Sequence, residues 1–227
     1  MRDNPLEMRF PWRTRRLESA VLDVAPEPPP PQAETQPSPG LEAALAGVPS
    51  DGSCGVLDLG SAVAGNLEFV STFASRVQIV DLLGGGSANA VAPAPDLERG
   101  MQALRELMPL ANGTFDLVLA WDLLAYLPSH RVGDLIGALA ELCRPEARLH
   151  AIIPTTEMMP AVPRRYRIVD AKSLVYEPAT TDLKGTPELP PNAVDRLLEG
   201  FEVEHSFVLR HGVREYVATR NVETSER

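Results

Sequence analysis

The sequence predicts an α/β protein built on a doubly wound, mostly parallel β-sheet that ends in an antiparallel hairpin. Short apolar strands alternate with helical patterns between residues 41 and 220, and this alternation is typical of parallel sheets covered by helices. The central strands are near-continuous apolar runs, which indicates burial on both faces of the sheet. Near the end of the chain, only a His-Gly turn at 211–212 separates two further strands, and this spacing favours a hairpin.

The first part of this region predicts one helix followed by a β-α-β unit. A short helix ended by Gly47 comes first. An apolar strand then closes on Gly60, a helix follows with Asn66 as its cap, and a second buried strand ends at Asp81. The predicted elements are the helix at 41–47, the strand at 54–60, the helix at 66–75 and the strand at 76–81. The two strands and their helix close a parallel unit within about 30 residues.

The second part predicts the remaining strands and helices. Apolar residues recur at helical spacing before Pro145, which ends that helix. A helix is also predicted at 97–108, and the glycine-rich segment before it, 84–95, has the composition of a mobile loop. The other predicted elements are strands at 114–121 and 148–154, helices at 131–143 and 192–199, and hairpin strands at 201–210 and 214–220.

A proline-rich stretch and an arm precede the predicted domain. The stretch has no large apolar anchor, so we expect a semi-rigid linker that cannot pack into a core. The arm is basic, and Phe10, Trp12 and Arg13 are its candidate anchors for an acidic protein partner. The alternative is a frayed, disordered terminus. The predicted organisation is an arm at 1–25, a linker at 26–40, a domain at 41–220 and a tail at 221–227.

Composition and charge exclude several classes of function. The chain has 227 residues, of which 44% are hydrophobic and 23% charged, as is typical of globular proteins. Its net charge of −10 disfavours nucleic-acid binding by the whole surface. The sequence carries neither the ~20-residue apolar run of a transmembrane helix nor a secretion signal, so we expect a cytoplasmic location. Two cysteines, Cys54 and Cys143, and four scattered histidines offer neither a disulfide framework nor a metal site.

Several pieces of the domain occur in the order and spacing of a known family. The run Val56–Gly60 is followed, 23 positions after Asp58, by Asp81 at the end of the next strand. Residues 115–128 and 142–149 are similar to the family's fourth strand and to the entry into its fifth. With the terminal hairpin, these pieces resemble the class I S-adenosylmethionine-dependent methyltransferases. The Rossmann-like fold of that family agrees with the predicted sheet.

The resemblance implies that S-adenosylmethionine is the methyl donor, and it gives candidate donor-binding roles to four residues. It places the Asp81 carboxylate on the two ribose hydroxyls of the donor. It places the backbone at Gly60 against the ribose and the methionine-derived part, where a glycine permits close approach. Asp58 and Ala62 belong to the same motif and are the other two candidates.

On the acceptor side, the candidate catalytic residues are Asp122 and Tyr126, which follow the fourth strand of the family pattern. Asp122 could orient or deprotonate an acceptor. The alternatives are that Asp122 caps the next helix and that Tyr126 only packs. The sulfonium methyl group is already electrophilic, so the protein mainly has to align the acceptor and exclude water.

The sequence also departs from the family pattern. Ala62 and Ala64 stand in place of two glycines, and their methyl groups could narrow the donor pocket. Leu104 stands where an acidic residue would hold the adenine, and the family's third strand is not predicted. Two functions therefore stay open. One is a divergent methyltransferase acting on an unidentified small molecule or protein, and the other is a non-catalytic pseudoenzyme that serves as an interaction or scaffold module through its arm.

Overall fold

The computed structural model of the chain describes residues 34–49, 51–84, 96–177, 180–189 and 191–221. The predicted arm at 1–25, with Phe10, Trp12 and Arg13, lies outside these residues, as do the linker before residue 34, residues 85–95 of the predicted loop, and the tail from residue 222.

The described part of the chain contains sixteen helices and strands and one 3₁₀ turn at Leu123–Tyr126. The helices are α1 (Pro39–Ala46), α2 (Ala64–Val70), α3 (Leu97–Ala111), α4 (Ser129–Leu142) and α5 (Pro191–Leu197). The strands are β1 (Glu34–Pro37), β2 (Cys54–Asp58), β3 (Ala74–Ile79), β4 (Phe115–Trp121), β5 (Cys143–Pro154), β6 (Met158–Pro160), β7 (Arg165–Asp170), β8 (Ser173–Glu177), β9 (Leu183–Gly185), β10 (Phe201–Leu209) and β11 (Val213–Arg220).

The central sheet confirms the predicted fold class. Its six strands have the order β10-β11-β5-β4-β2-β3. The four strands β3, β2, β4 and β5 pair in parallel, as their near-continuous apolar sequences predict. Strand β11 pairs antiparallel with both β5 and β10, so the last two strands form the predicted hairpin. The carboxyl ends of β2, β3 and β4 therefore meet at one edge of a doubly wound sheet, where ligands of such folds bind.

Two hydrophobic layers cover this sheet, one on each face. All seven residues of β4 are buried, and its side chains alternate between the layers. Leu117, Leu119 and Trp121 belong to the layer that also contains residues of α1, β7 and β8. Val118 and Ala120 belong to the layer formed with α3 and α4. Trp121, the last residue of β4, thus lies between the sheet and the small strands β7 and β8.

The predicted extent of the linker is wrong for its last seven residues. Residues 34–37 form β1, which pairs antiparallel with β8, and β8 pairs with β7 in a second, three-stranded sheet. Ser38 caps α1, because its hydroxyl oxygen accepts a hydrogen bond from the Leu41 N–H at 3.3 Å. The segment packs despite its prolines because Glu215 of β11, far away in the sequence, bonds to Ser38 and to the backbone of Gly40.

The helix predicted at 66–75 is wrong at both ends. Helix α2 begins at Ala64 and ends at Val70, and the chain turns directly into β3. The N-cap residue is Val63 and not Asn66, which lies in the first turn. Leu67, predicted on the buried face, is 44% exposed. The apolar residues after Val70 instead belong to the turn and to the edge strand.

Helix α3 confirms the helix predicted at 97–108 and extends it to Ala111. Leu104 lies on the side of α3 that faces the core and is fully buried, so it cannot reach a ligand from that position. Among the described residues, β3 pairs with β2 on one edge and has no strand on the other. Strands β6 to β9, in the segment between β5 and α5, were not predicted at all, because each is only three to six residues long.

Candidate functional site

The site is built around a buried carboxylate at the end of β2. Asp58 is 4% exposed, and its Oδ1 atom accepts two hydrogen bonds. One comes from the Gly60 N–H at 2.9 Å, which fixes the turn after the strand. The other comes from the indole N–H of Trp121 at 2.6 Å, which links the ends of β2 and β4. Asp58 is therefore an organising residue of the turn.

Gly60 is held close to the same indole ring. A Cβ atom at Gly60 would lie 2.7 Å from Cδ1 and 2.8 Å from Nε1 of Trp121, distances that no side chain can adopt without displacing the ring. A glycine is thus required at this position because another group approaches its backbone closely. The sequence predicted such an approach by the methyl donor. In this structure the group that approaches Gly60 is the side chain of Trp121.

Trp121 has an unusual backbone and a closely packed ring. Its φ is +50°, in the left-handed region that residues with a Cβ atom rarely occupy. The indole stacks on Tyr166 of β7, with ring centroids 5.2 Å apart and planes 6° from parallel. Its edge meets His150 at a centroid distance of 6.1 Å. With 3% of its surface exposed, the side chain is enclosed.

The electrostatics of Asp58 follow from this enclosure. Burial raises the pKa of its carboxyl from 3.8 to about 6. The hydrogen bonds from Trp121 and Gly60 act in the opposite direction, and the charge of Asp81 adds to the increase in the pKa. The Asp81 charge is the smallest of these contributions, and burial is the largest.

Asp81 stands two residues beyond β3, next to Asp58. The backbone beyond β3 stays paired with β2, because Val80 N–H donates to the Asp58 carbonyl at 2.8 Å and Leu82 N–H donates to the Leu59 carbonyl at 3.1 Å. Asp81 is half-buried, and its carboxylate has no hydrogen bond or ion pair with another described residue. The structure leaves it available to a ligand with hydroxyl groups.

A groove of about 630 Å³ runs beside Asp81. It lies between the unpaired edge of β3 and the face of α3. Its lining combines apolar residues with charged ones of both signs, among them Asp96, Arg99 and Glu106. Glu106 is the acidic residue closest in sequence to Leu104, and it reaches this groove from the helix.

The alanines of the motif do not fill the cleft. Ala62 and Ala64 are exposed on the loop between β2 and α2. The narrowing expected from their methyl groups is therefore not observed. The space against Gly60 is occupied instead by the Trp121 indole, a contact that the sequence did not indicate.

Asp122, a predicted catalytic residue, is fully buried. Its Oδ2 atom accepts a hydrogen bond from the Arg164 N–H at 3.3 Å, whereas Oδ1 has no hydrogen-bond partner among the described residues. Burial raises the pKa of Asp122 to about 6, opposed by the Arg164 N–H, the Tyr166 hydroxyl and the Arg164 charge. Asp122 is the N-cap residue of the following 3₁₀ turn, as the alternative predicted, but its side chain makes no capping hydrogen bond to that turn.

Tyr126, the other predicted catalytic residue, is half-buried. Its hydroxyl group lies 3.0 Å from the carbonyl oxygen of Pro160 and 2.9 Å from that of Val162, so it donates its proton to the segment around β6. The Lys184 ammonium lies 4.2 Å from the centre of its ring. Burial raises the pKa of the Tyr126 hydroxyl above its usual range. The catalytic roles of Asp122 and Tyr126 stay predictions.

The segment from β6 to β7 contributes residues that were not among the predicted catalytic and donor-binding residues. Tyr166 packs on Trp121, and Arg164 faces Asp122. Asn66 holds this segment in place, since its amide donates to the Tyr166 carbonyl at 2.8 Å and accepts from the Ile168 N–H at 2.7 Å. The side-chain atom Arg164 Nη1 is buried and has no hydrogen-bond partner in the described part of the chain.

The described ranges contain no group of three or more His, Cys, Asp or Glu side chains able to hold a metal ion. No helix within them is long and apolar enough to cross a membrane. Cys54 and Cys143 are both free and buried, and burial raises the pKa of each thiol to about 12.

No family model and no curated protein matches the sequence. Solved structures of S-adenosylmethionine-dependent methyltransferases are similar to the chain. One is the 1,6-didemethyltoxoflavin-N1-methyltransferase of Burkholderia thailandensis with bound 1,6-didemethyltoxoflavin and S-adenosylhomocysteine. Its sequence is 17% identical to this chain, the match covers 81% of this chain and 77% of that one, and the TM-score is 0.47. An enzyme from Mesorhizobium loti is 17% identical, with coverages of 78% and 96% and a TM-score of 0.48. One from Methanosarcina mazei is 14% identical, with coverages of 79% and 97% and a TM-score of 0.47.

Proposed function

We propose that this protein binds S-adenosylmethionine at the carboxyl ends of β2 and β3 and transfers its methyl group to an acceptor. The single observation that carries the proposal is the state of the two carboxylates. Asp58 is buried and its Oδ1 atom accepts two hydrogen bonds from protein donors, whereas Asp81 beside it is half-buried and has no protein partner in the described ranges. A carboxylate in that position, next to a groove, suits the paired hydroxyl groups of a ribose.

Each candidate donor-binding residue has a distinct part in this proposal. Asp81 would accept hydrogen bonds from the two ribose hydroxyls. The backbone at Gly60 and Ala62 would lie along the methionine-derived part of the donor, and Asp58 would hold that turn in shape through the Gly60 N–H. The donor supplies an electrophilic methyl group, so the chain's own contribution is alignment and exclusion of water.

Asp122 is the candidate base on the acceptor side. With a pKa near 6, its carboxyl is mostly ionised at neutral pH and can accept a proton there. Tyr126 lies in the 3₁₀ turn after Asp122, and Arg164 lies in the segment that covers Asp122. Both would position the acceptor rather than activate it. The acceptor is a small molecule or a protein, and a cytoplasmic location stays part of the proposal.

A second function is favoured by one observation. The Trp121 indole occupies the space against Gly60 where the donor would lie. A protein in which this arrangement is permanent would be a scaffold that binds partners through the arm with Phe10, Trp12 and Arg13. Deletion of residues 1–25 should then abolish partner capture in a pull-down while the circular dichroism of the domain is unchanged. Partners that survive the deletion would contradict a role for the arm.

Isothermal titration with S-adenosylhomocysteine tests the first proposal. We expect the wild-type protein to bind, and saturation at 100 times the Kd to stabilise it against unfolding by about 2.7 kcal/mol. Asp81→Asn should weaken binding by roughly 10- to 100-fold, because a hydrogen bond to a charged group contributes about 1.5–3 kcal/mol. Asp195→Asn, an exposed carboxylate on α5, is the matched control and should bind as the wild type does.

Two results would contradict this proposal in different ways. If the wild-type protein shows neither heat nor thermal stabilisation at millimolar ligand, it does not bind the donor. If Asp81→Asn binds as tightly as the wild type, the donor is bound but the assignment of its ribose to Asp81 is wrong.

A further inference from the structure

The conformation of Trp121 places one side chain at the position that a bound donor requires. Its indole lies against Gly60, and its N–H bonds to Asp58 at 2.6 Å. A ligand that approaches Gly60 from the side where a Cβ atom would lie must displace this ring, because no space remains there for even a methyl group.

The ring is held by contacts that can be exchanged. Asp58 keeps its bond from the Gly60 N–H when the indole leaves, so the carboxylate is not left without a donor. Tyr166 would expose one face on departure of the indole, and an apolar or aromatic ligand surface can cover that face.

The backbone of Trp121 also favours movement. At φ +50° the residue occupies a region that is costly for a side chain with a Cβ atom. The strand pairing between β4 and β5 is irregular at this point, with a register shift between Leu119 and Trp121. The contacts with Asp58 and Tyr166 therefore hold the residue in a conformation that its own backbone disfavours.

We propose that Trp121 controls access to the donor site: its indole closes the space over Gly60 in the free protein and swings away from Asp58 when the donor binds. The inference rests on the proposed donor binding and adds the residue that sets the donor's affinity. Binding then includes the work of displacing the ring, so weakening the closed state should tighten binding.

Two substitutions test this access role by titration with S-adenosylhomocysteine. Trp121→Phe keeps an aromatic ring but removes the N–H that bonds Asp58, and we expect about tenfold tighter binding, the equivalent of one hydrogen bond to a charged group. Trp121→Gly removes the ring and relieves the left-handed backbone, and it should bind at least as tightly as Trp121→Phe. Tyr176→Phe, in the same hydrophobic layer but without contact to Asp58, is the control and should leave the affinity unchanged.

Fluorescence gives a readout that leaves Trp121 itself intact. The chain has two tryptophans, so Trp12→Phe leaves Trp121 as the sole indole fluorophore. The ring is 3% exposed in the free protein, and its displacement should shift the emission to longer wavelength as S-adenosylhomocysteine is added. The shift should saturate at the ligand concentration given by calorimetry.

The results of these experiments bear separately on the access role of Trp121 and on the proposed binding of the donor. Tighter binding by both variants, together with the emission shift, supports the access role. Equal affinities with no emission shift overturn it while donor binding stands. Binding by either variant but not by the wild type supports the access role and contradicts the proposed function. If neither the wild type nor a folded variant binds, both proposals fail.

Discussion

The buried carboxylate of Glu215 offers the most direct test of how the N-terminal segment joins the domain. Glu215 is fully buried on β11, where it accepts hydrogen bonds from the Ser38 hydroxyl and the Gly40 N–H, each at 2.6 Å. Its Oε1 atom lies 3.8 Å from Nε2 of the buried His150. Position 40 requires a glycine, because a Cβ atom there would lie only 2.7 Å from the Glu215 Cβ atom.

Replacement of Glu215 by leucine leaves these donors buried without an acceptor. Two hydrogen bonds to a charged group are lost and two polar groups stay desolvated, so the free energy of unfolding should fall by about 3–5 kcal/mol. Glu215→Gln keeps one acceptor oxygen and should cost about 1–3 kcal/mol. Since whole domains are stable by about 5–15 kcal/mol, the leucine variant should lose a large part of the total.

Urea unfolding followed by circular dichroism measures these differences. Ser38→Ala alone should cost about 1 kcal/mol through the lost cap, and combination with Glu215→Leu should be less than additive because the residues share one bond. Glu202→Leu, exposed on β10, is the control and should stay within about 0.5 kcal/mol of the wild type. A Glu215→Leu variant within 1 kcal/mol of the wild type would refute the docking of residues 38–40 on Glu215.

The same carboxylate predicts a direction for the pH dependence. Burial acts to raise the pKa of Glu215, but the interactions with His150, Ser38 and Gly40 outweigh it and hold the pKa below 4.5. A carboxyl group with a depressed pKa in the folded state stabilises the protein above its unfolded pKa and loses this contribution as the pH falls. The difference in stability between the wild type and Glu215→Gln should therefore shrink below about pH 4.5.

Two further predictions concern Asp58 and Asn66. Burial raises the pKa of Asp58 from 3.8 to about 6, so its protonated carboxyl stabilises the folded state below the unfolded pKa. This contribution to stability is lost as the pH rises through about 6. Relative to Asp58→Asn, the wild type should therefore lose about 2 kcal/mol of stability between pH 4 and pH 7 in urea titrations, and parallel curves for the two proteins would contradict the raised pKa. Asn66→Ala removes both side-chain bonds to β7 and should destabilise the domain by about 2–3 kcal/mol, whereas Asn192→Ala, exposed on α5, should have little effect. Equal stabilities of the two alanine variants would show that Asn66 does not hold β7.

The parallel strands were predictable because their signal is local. Runs such as 115–121 are apolar except for Asp116, and a strand buried on both faces can be recognised from its own sequence. The position of Asp81 beside Asp58 was predictable for the same reason, because both follow strands that pair in parallel. The C-terminal hairpin was predictable from the short turn between its two strands.

The contacts that complete the site depend on distant residues. Ser38 packs through a carboxylate 177 positions away, so composition alone assigned it to a linker. Asn66 is of a residue type that commonly caps helices, yet its side chain forms hydrogen bonds with the backbone 100 and 102 positions away. The left-handed backbone of Trp121 is set by its tertiary contacts, and no local pattern predicts it for a tryptophan at the end of a strand.

The two acidic residues of the motif show how one sheet edge can give similar side chains different tasks. Asp58 is the last residue of a central strand, so the neighbouring strand supplies a donor, Trp121, and burial raises the carboxyl's pKa to about 6. Asp81 follows the edge strand, where the described chain provides no donor from a further strand, and its carboxylate faces a groove. A ligand that satisfies Asp81 must therefore bring its own hydroxyl groups. One that also reaches Gly60 must displace the donor that now satisfies Asp58. Sugar binding at Asp81 and opening at Trp121 are thus separable steps, and substitutions at the two residues should change the affinity in opposite directions.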